Sequence, residues 1–213
     1  MHNRKSYKPR VYNYILGVYM RNVTNNEMLL IATILKSPEV PYNANTLANI
    51  LEISPMGAWK IAQKLQKEDI LHADKIGNAH ILKLNLANEY ARNYMRFVLA
   101  REIEIAPPYV KRWITELKKI KHAELIILFG SVLRKHEDAR DIDALIVTDN
   151  KQFKMLKKEI EDINFLNDKK VHPIYQTKED LRKNIAKRDK IVLNAIKGLM
   201  VSGQDAFIEV LTT

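Results

Sequence analysis

Two aspartates inside an otherwise apolar run constrain this chain more than any other feature of its sequence. The segment DIDALIV (141–147) follows a first apolar run, LIILF (125–129), and a Gly-Ser pair (130–131). Both apolar runs predict buried strands. Residues two apart in a strand point to the same face, with roughly 6–7 Å between their backbones. Asp141 and Asp143 are therefore expected to converge on one patch, where the two carboxylates repel each other unless a positive charge lies between them.

The residues around these aspartates suggest what the positive charge is. Two converging carboxylates are hard oxygen ligands of the kind that Mg²⁺ prefers, and they leave the other metal positions to water and phosphate. Gly130 leaves room for a phosphate near the backbone, and Ser131 offers an anion its hydroxyl and the amide at the start of a helical turn. The charges of Arg134 and Lys135 suit a triphosphate. The pattern therefore predicts a site for a metal–nucleotide complex.

A structural alternative explains the aspartates without any ligand. Acids at the end of a strand can form salt bridges with basic neighbours, which here are Arg134, Arg140 or Lys170. We favour the metal–nucleotide interpretation because the Gly-Ser pair and the Asp-x-Asp motif occur together at a defined spacing.

Gly-Ser, nine residues and Asp-Ile-Asp, with the strands on either side, resemble the signature of polymerase-beta-like nucleotidyltransferases, particularly the minimal single-domain group. The resemblance covers residues 120–175. It implies that Ser131 binds the nucleotide phosphates and that Asp141 and Asp143 are both metal ligands and catalytic residues. In such enzymes two Mg²⁺ ions assist in-line attack on the α-phosphate of ATP or another nucleoside triphosphate, and pyrophosphate leaves.

The chain also departs from that signature. Active members usually carry a third carboxylate on the next strand, where this sequence has His172, and imidazole suits Mg²⁺ poorly. His136 stands where glycine is common, and Arg140 stands where serine precedes the first aspartate. One interpretation is a domain that binds Mg-nucleotide but is catalytically degenerate. The alternatives are an active Mg-dependent nucleotidyltransferase that modifies RNA, a protein or a small molecule, and an antitoxin-like component that modifies or masks a cognate protein.

The first half of the chain has a different pattern. Helix-spaced apolar residues predict a helix at 25–35, after an asparagine cap, and a second short helix at 45–51. Ser54-Pro55 is a strong start signal for a third helix. Two strands follow around a Gly77-Asn78 turn. Residues 25–86 thereby resemble a winged helix-turn-helix, which implies that the third helix enters the major groove of double-stranded DNA. The residues expected to contact DNA are Ser54, Met56, Gly57, Trp59, Lys60, Gln63, Lys64 and Lys75. The alternative is that this unit only packs on the second half or dimerises.

Charge and composition agree with an anionic partner. The net charge is +10 and the pI is about 9.6, with no cysteine, so disulfides and thiolate metal sites are excluded. The apolar runs are too short to cross a bilayer, so we expect a soluble, cytoplasmic protein that does not enter membranes. Two-fold symmetry is common among DNA-binding regulators, which favours a homodimer.

We expect an α+β protein in which a winged helix-turn-helix precedes a small mixed-sheet, nucleotidyltransferase-like α/β domain. The expected segments are an N-terminal arm (1–23), the winged helix-turn-helix (24–87), connecting helices (88–119) and the nucleotidyltransferase-like domain (120–213), with only helices after residue 178. This order resembles a group of prokaryotic fusion proteins that are often interpreted as transcription regulators.

Overall fold

A computed structural model describes residues 23–212, which form a mixed α+β structure as the sequence predicts. The expected N-terminal arm lies outside the described residues, apart from Val23. The helices are α1 (Asn25–Lys36), α2 (Ala44–Ile50), α3 (Pro55–Lys67), α4 (Glu89–Glu104), α5 (Pro108–Leu117), α6 (Val132–Lys135), α7 (Phe153–Leu166), α8 (Lys178–Ala186), α9 (Lys190–Ala195) and α10 (Gln204–Leu211). The strands are β1 (Leu71–Ile76), β2 (Ala79–Leu84), β3 (Leu125–Phe129), β4 (Ile142–Val147), β5 (Val171–Gln176) and β6 (Leu199–Ser202). Over residues 23–212, no helix is both long enough and apolar enough to cross a membrane.

The first half consists of α1, α2 and α3 followed by the antiparallel hairpin of β1 and β2. The cap of α1 is Thr24 and not an asparagine, since the Thr24 hydroxyl and the Glu27 carboxylate bond each other's backbone N–H in a capping box. Ser54 caps α3 as expected. Gly77 takes a positive φ of 59° at the hairpin turn, a conformation that glycine adopts without steric cost.

The second half is built on a four-stranded sheet with the order β5-β4-β3-β6. Strand β3 runs antiparallel to both of its neighbours, and β4 runs parallel to β5. The expectation of helices alone after residue 178 is wrong, because β6 interrupts them and completes one edge of the sheet. This strand is only four residues long, and a short apolar run between helices does not reveal by its periodicity whether it is a strand or a helical segment.

Both faces of this sheet are covered, which explains why β3 is apolar along its whole length. Residues such as Ile126 and Leu128 pack with Trp113 of α5 and with the apolar side of α7. Alternate residues of the same strand, such as Ile127, belong to a second cluster with the helices that follow β5. That second cluster continues into the first half through Leu30 of α1 and other residues of α1 and α4. The two halves therefore share one apolar core.

A buried ammonium of the first half also contacts the second half. The Lys36 ammonium, at the end of α1, lies 2.8 Å from Oε1 and 2.6 Å from Oε2 of Glu102 in α4. It also donates a hydrogen bond to the Gly198 carbonyl, at 2.6 Å, just before β6. Burial lowers the pKa of Lys36, while attraction to Glu102 opposes that shift. Lys36, Glu102 and Gly198 are called the Lys36 cluster below.

Candidate functional site

Strand pairing brings the two aspartates together with His172. Asp141 immediately precedes β4, and Asp143 is the second residue of that strand. In the parallel register of β4 and β5, Asp143 lies opposite His172. Ligand atoms of Asp141, Asp143 and His172 all lie within 4.8 Å of one another. His172 therefore stands where the sequence signature usually carries its third carboxylate. These three residues are called the Asp-Asp-His cluster below.

The charges within this cluster are only partly balanced. Partial burial and then the negative charge of Asp141 raise the pKa of the Asp143 carboxyl. The nearby His172 and the backbone N–H of Ser131, which donates to the Asp143 carboxylate, both act in the opposite direction. Nδ1 of His172 lies 3.2 Å from Oδ2 of Asp141. The side chains of His172 and Asp141 are 62% and 36% exposed, so a ligand from solvent can reach them.

The salt-bridge alternative for the aspartates is not what the structure contains. The Lys170 ammonium donates to the backbone carbonyls of Asn164 and Asn167 instead. Arg134 and Arg140 are exposed, and neither forms an ion pair with any residue between positions 23 and 212. Among residues 23–212, the basic side chain within 4 Å of the Asp141 carboxylate is that of His172.

Gly130 has a more specific role than the sequence indicated. Its φ is +81°, and a Cβ added to it would lie only 2.0 Å from Oδ2 of Asp143. The space that glycine leaves is thus filled by a carboxylate of the protein, where the sequence predicted room for a phosphate. The Ser131 amide likewise faces Asp143, and α6 has only four residues, so its macrodipole is small. Any contact of Ser131 with phosphate therefore falls to its hydroxyl.

A cavity of about 180 Å³ lies beside this turn. Arg134, one of the two expected phosphate contacts, lines it, whereas Lys135 is exposed and does not. Asn194 and Lys197, from α9 and the turn after it, line the same cavity, so two basic side chains and one amide meet next to Gly130. Sequence reasoning missed Asn194 and Lys197 because they belong to no motif and approach the turn only through the tertiary fold.

The loop that leads into Asp141 is fixed from outside the motif. The Lys169 ammonium donates to the backbone carbonyls of Glu137 and Ala139, the latter at 2.6 Å. His136, at the start of this loop, has a positive φ of 48°. Such a conformation favours glycine, which agrees with glycine being common at this position of the signature.

The donor atoms of the Asp-Asp-His cluster fit a divalent cation. Adjacent ligands of an octahedral ion with bonds of about 2.1 Å lie about 3 Å apart, and the Asp141–His172 pair matches this spacing at 3.2 Å. The two carboxylates suit Mg²⁺, whereas the imidazole nitrogen suits it poorly. Asp141 and Asp143 would hold such a cation, and the cation would neutralise the phosphates of a nucleotide beside it.

The residues expected to contact DNA lie on and near α3. Met56, Trp59 and Lys60 are exposed, and the exposed fraction of Trp59 is 47%. Trp59 and Gln63 line a groove of about 550 Å³ between α3 and the hairpin, together with Asn45, Asn78 and His80. This groove carries amide and aromatic groups, which suit hydrogen bonding and stacking.

The other expected contact residues of the first half have partners or lie apart from this groove. The Ser54 hydroxyl accepts the Gly57 N–H at 3.1 Å, so both residues serve the helix cap. The Lys64 ammonium lies 2.6 Å from Oε1 of Glu27, whose side chain is only 4% exposed. Lys75 is exposed on β1 near the hairpin turn. Of Lys60 and Lys64, Lys60 is therefore the better placed for a phosphate.

Comparison with known proteins bears on the second half. A family model described as polymerase beta, nucleotidyltransferase, matches residues 111–197. A search of curated proteins and a search of solved structures each find no match to the chain. The match covers the Gly-Ser turn, both aspartates, His172 and the cavity residues that follow β5. It supports the nucleotidyltransferase-like assignment of the second half.

Proposed function

We propose that the second half of this protein binds a nucleoside triphosphate together with a divalent cation. One observation carries the proposal: Asp141 and Asp143 converge beside the Gly-Ser turn with no lysine or arginine neutralising them within residues 23–212. Two neighbouring carboxylates repel each other and favour a cation between them. The adjacent cavity adds Arg134 and Lys197, whose charges suit the phosphates of the nucleotide.

The same geometry favours binding over rapid catalysis. The third carboxylate of active enzymes helps to hold the catalytic metal and to activate the attacking hydroxyl, and here His172 stands at that place. Neutral imidazole contributes no negative charge to a metal. We therefore infer a domain that binds nucleotide and is catalytically degenerate, and an active nucleotidyltransferase is the alternative.

Calorimetric titration with ATP tests this proposal. We expect heat of binding with a divalent cation, and at least about tenfold weaker binding with EDTA or in Asp143→Asn, because phosphate and carboxylates then repel each other without the bridging metal. Asp162→Asn, an exposed acid on α7, is the matched control and should bind as the unaltered protein does. Equal binding with and without a cation would refute the proposal. Transfer of label from [α-³²P]ATP to an acceptor, lost in Asp143→Asn, would identify the active alternative.

A second function is supported by the first half. We propose that it is a winged helix-turn-helix that binds double-stranded DNA, and that the whole protein, as a homodimer, is a regulator controlled by nucleotide. The order of three helices and a hairpin, the exposed face of α3 and the net charge of +10 support this proposal.

Salt-dependent DNA binding tests this second function. Affinity for a duplex should fall steeply with added salt, and Lys60→Glu should weaken it further because that side chain is expected to meet a phosphate. Lys154→Glu, an exposed lysine of α7, changes the net charge equally and serves as control. If the two variants weaken binding equally, α3 does not enter the groove.

A further inference from the structure

The Asp-Asp-His cluster contains a nitrogen donor where the aspartates alone would supply only oxygen. Asp141 and Asp143 come from β4 and its leading residue, and His172 is the second residue of β5. Main-chain pairing of β4 with β5 fixes His172 opposite Asp143, so the imidazole belongs to the cluster through the sheet itself. Its Nδ1 lies at the spacing of a neighbouring ligand from Asp141, at 3.2 Å.

The chemistry of this donor set favours some cations over others. Mg²⁺ binds hard oxygen ligands, demands a near-ideal octahedron and gives up water reluctantly. First-row transition cations accept imidazole and carboxylate together, with affinities that rise from Mn²⁺ towards Cu²⁺. Mn²⁺, Co²⁺ and Zn²⁺ therefore gain affinity from all three ligands. For Mg²⁺, the imidazole adds little affinity beyond that from the two aspartates.

The residues around the Asp-Asp-His cluster leave the space between its ligand atoms accessible to a cation from solvent. The Lys170 ammonium is bound by two backbone carbonyls, and the Lys169 ammonium by the carbonyls of Glu137 and Ala139. Gly130 lacks the Cβ that would displace the Asp143 carboxylate, so this ligand keeps its position. The two lysines nearest in sequence to His172 are thus held by backbone carbonyls, and the imidazole is exposed.

We propose that Asp141, Asp143 and His172 bind a first-row transition cation in preference to Mg²⁺, with His172 supplying the nitrogen ligand that sets the preference. This inference rests on the proposed function in that the same two aspartates hold the cation that accompanies the nucleotide. It goes further by assigning His172 a role in binding, where the sequence comparison alone suggests a lost acid.

The test measures cation binding without nucleotide. Free Mn²⁺ is followed by the electron paramagnetic resonance of its aqua ion, and Mg²⁺ is added as competitor. We expect one Mn²⁺ site whose affinity exceeds that for Mg²⁺ by at least about tenfold. His172→Asp should reduce this ratio severalfold by restoring an oxygen ligand, and His172→Asn should weaken Mn²⁺ binding. His80→Asp, at an exposed histidine of the hairpin, is the matched control and should leave the ratio unchanged.

The outcomes separate this inference from the proposed function. Equal affinities for the two cations, or an unchanged ratio in His172→Asp, would overturn the inference. If ATP binding nevertheless needs a cation, the proposed function is kept and only the cation preference is rejected. If Mn²⁺ binds selectively and ATP does not bind with any cation, the metal site stands and the nucleotide proposal fails. Thermal melting of each variant confirms that the fold is kept, so that a loss of binding reports the site.

Discussion

Two charged clusters of this protein use similar groups and differ in how the charges are compensated. In the Lys36 cluster, a buried ammonium meets a carboxylate and a backbone carbonyl, so opposite charges face each other. In the Asp-Asp-His cluster, two carboxylates face one another with a single imidazole beside them. The first is buried at the junction of the two halves, and the second is partly open to solvent.

The difference indicates what each cluster is for. A compensated buried pair needs no ligand, and its loss leaves a desolvated charge behind. Like charges that converge at a surface cost free energy in the folded state and are relieved when a cation binds. The Lys36 cluster is therefore expected to stabilise the fold, and the Asp-Asp-His cluster fits the cation site that we propose.

Removing the ammonium of the Lys36 cluster should have the largest effect on stability. Lys36→Met leaves the Glu102 carboxylate and the Gly198 carbonyl without their donor, which should lower the free energy of unfolding by about 3–4 kcal/mol. Urea denaturation measures this change. Lys118→Met, at an exposed position after α5, should change it by less than about 0.5 kcal/mol. A loss of less than about 1 kcal/mol in Lys36→Met would show that the cluster is not a structural element.

Adding one methyl group beside Asp143 should cause the second-largest loss of stability. Gly130→Ala places a Cβ against the Asp143 carboxylate in a positive-φ conformation, which should cost about 2–3 kcal/mol and displace a metal ligand. Gly77→Ala is the matched control, since its φ is also positive but no atom lies within 4 Å of the added Cβ. It should cost about 1 kcal/mol. Equal losses in the two variants would mean that contact with Asp143 does not matter at Gly130.

The same contrast between compensated and free charge applies to two lysines of α3. Lys64→Gln removes the partner of the buried Glu27 and should lower the free energy of unfolding by about 1–2 kcal/mol. Lys60→Gln should change it by less than about 0.5 kcal/mol, because Lys60 forms no ion pair within residues 23–212. In DNA titrations, Lys60→Gln should have the larger effect of the two variants. It should reduce the slope of log affinity against log salt concentration by about the share of one phosphate contact. A larger DNA effect in Lys64→Gln would contradict our assignment.

Neutralising one aspartate should change stability by a small amount, and in the opposite direction. Asp143→Asn removes the repulsion from Asp141 and should raise the free energy of unfolding at pH 7 by about 0.5–1 kcal/mol. The pKa of Asp143 is raised in the folded state, so the folded protein keeps this proton where the unfolded chain has lost it. Stability due to this group therefore falls as pH rises from 3.8 through the raised pKa, with Asp141 and His172 as the ionisable neighbours.

Denaturation of the original and Asp143→Asn proteins at several pH values measures this effect. The difference between them should grow as pH rises through that window and then stay constant. A variant that is less stable at pH 7 would show that the Asp143 carboxylate is compensated in the absence of a ligand. The Asp-Asp-His cluster would then resemble the Lys36 cluster.

The sequence predicts the local parts of this fold well. The apolar runs of β3 and β4, the Gly77 turn and the Ser54 cap all depend on residues close together in the chain, and all of them form as expected. The convergence of Asp141 and Asp143 follows from the two-residue period of a strand in the same way. The sequence also indicates that a small residue is needed at Gly130, although the atom it accommodates belongs to Asp143.

What the sequence leaves hidden depends on distant residues. Lys36, Glu102 and Gly198 are far apart in the chain, and nothing in their local sequence shows that they meet. Lys197 reaches the site because β6 returns the chain to the edge of β3, and β6 itself is too short to give a periodic signal. The role of His172 required the register of β5 against β4, which is a property of the sheet.

In our proposal, the Asp-Asp-His cluster holds a cation that meets the phosphates of a nucleotide. Crystals grown with Mn²⁺ and a non-hydrolysable ATP analogue test it most directly, since anomalous scattering locates the metal independently of the refined coordinates. We predict an anomalous peak within bonding distance of Asp141, Asp143 and His172, with phosphate oxygens completing the coordination. A nucleotide bound with its phosphates away from these residues, or a crystal that contains nucleotide without a metal peak there, would contradict the account.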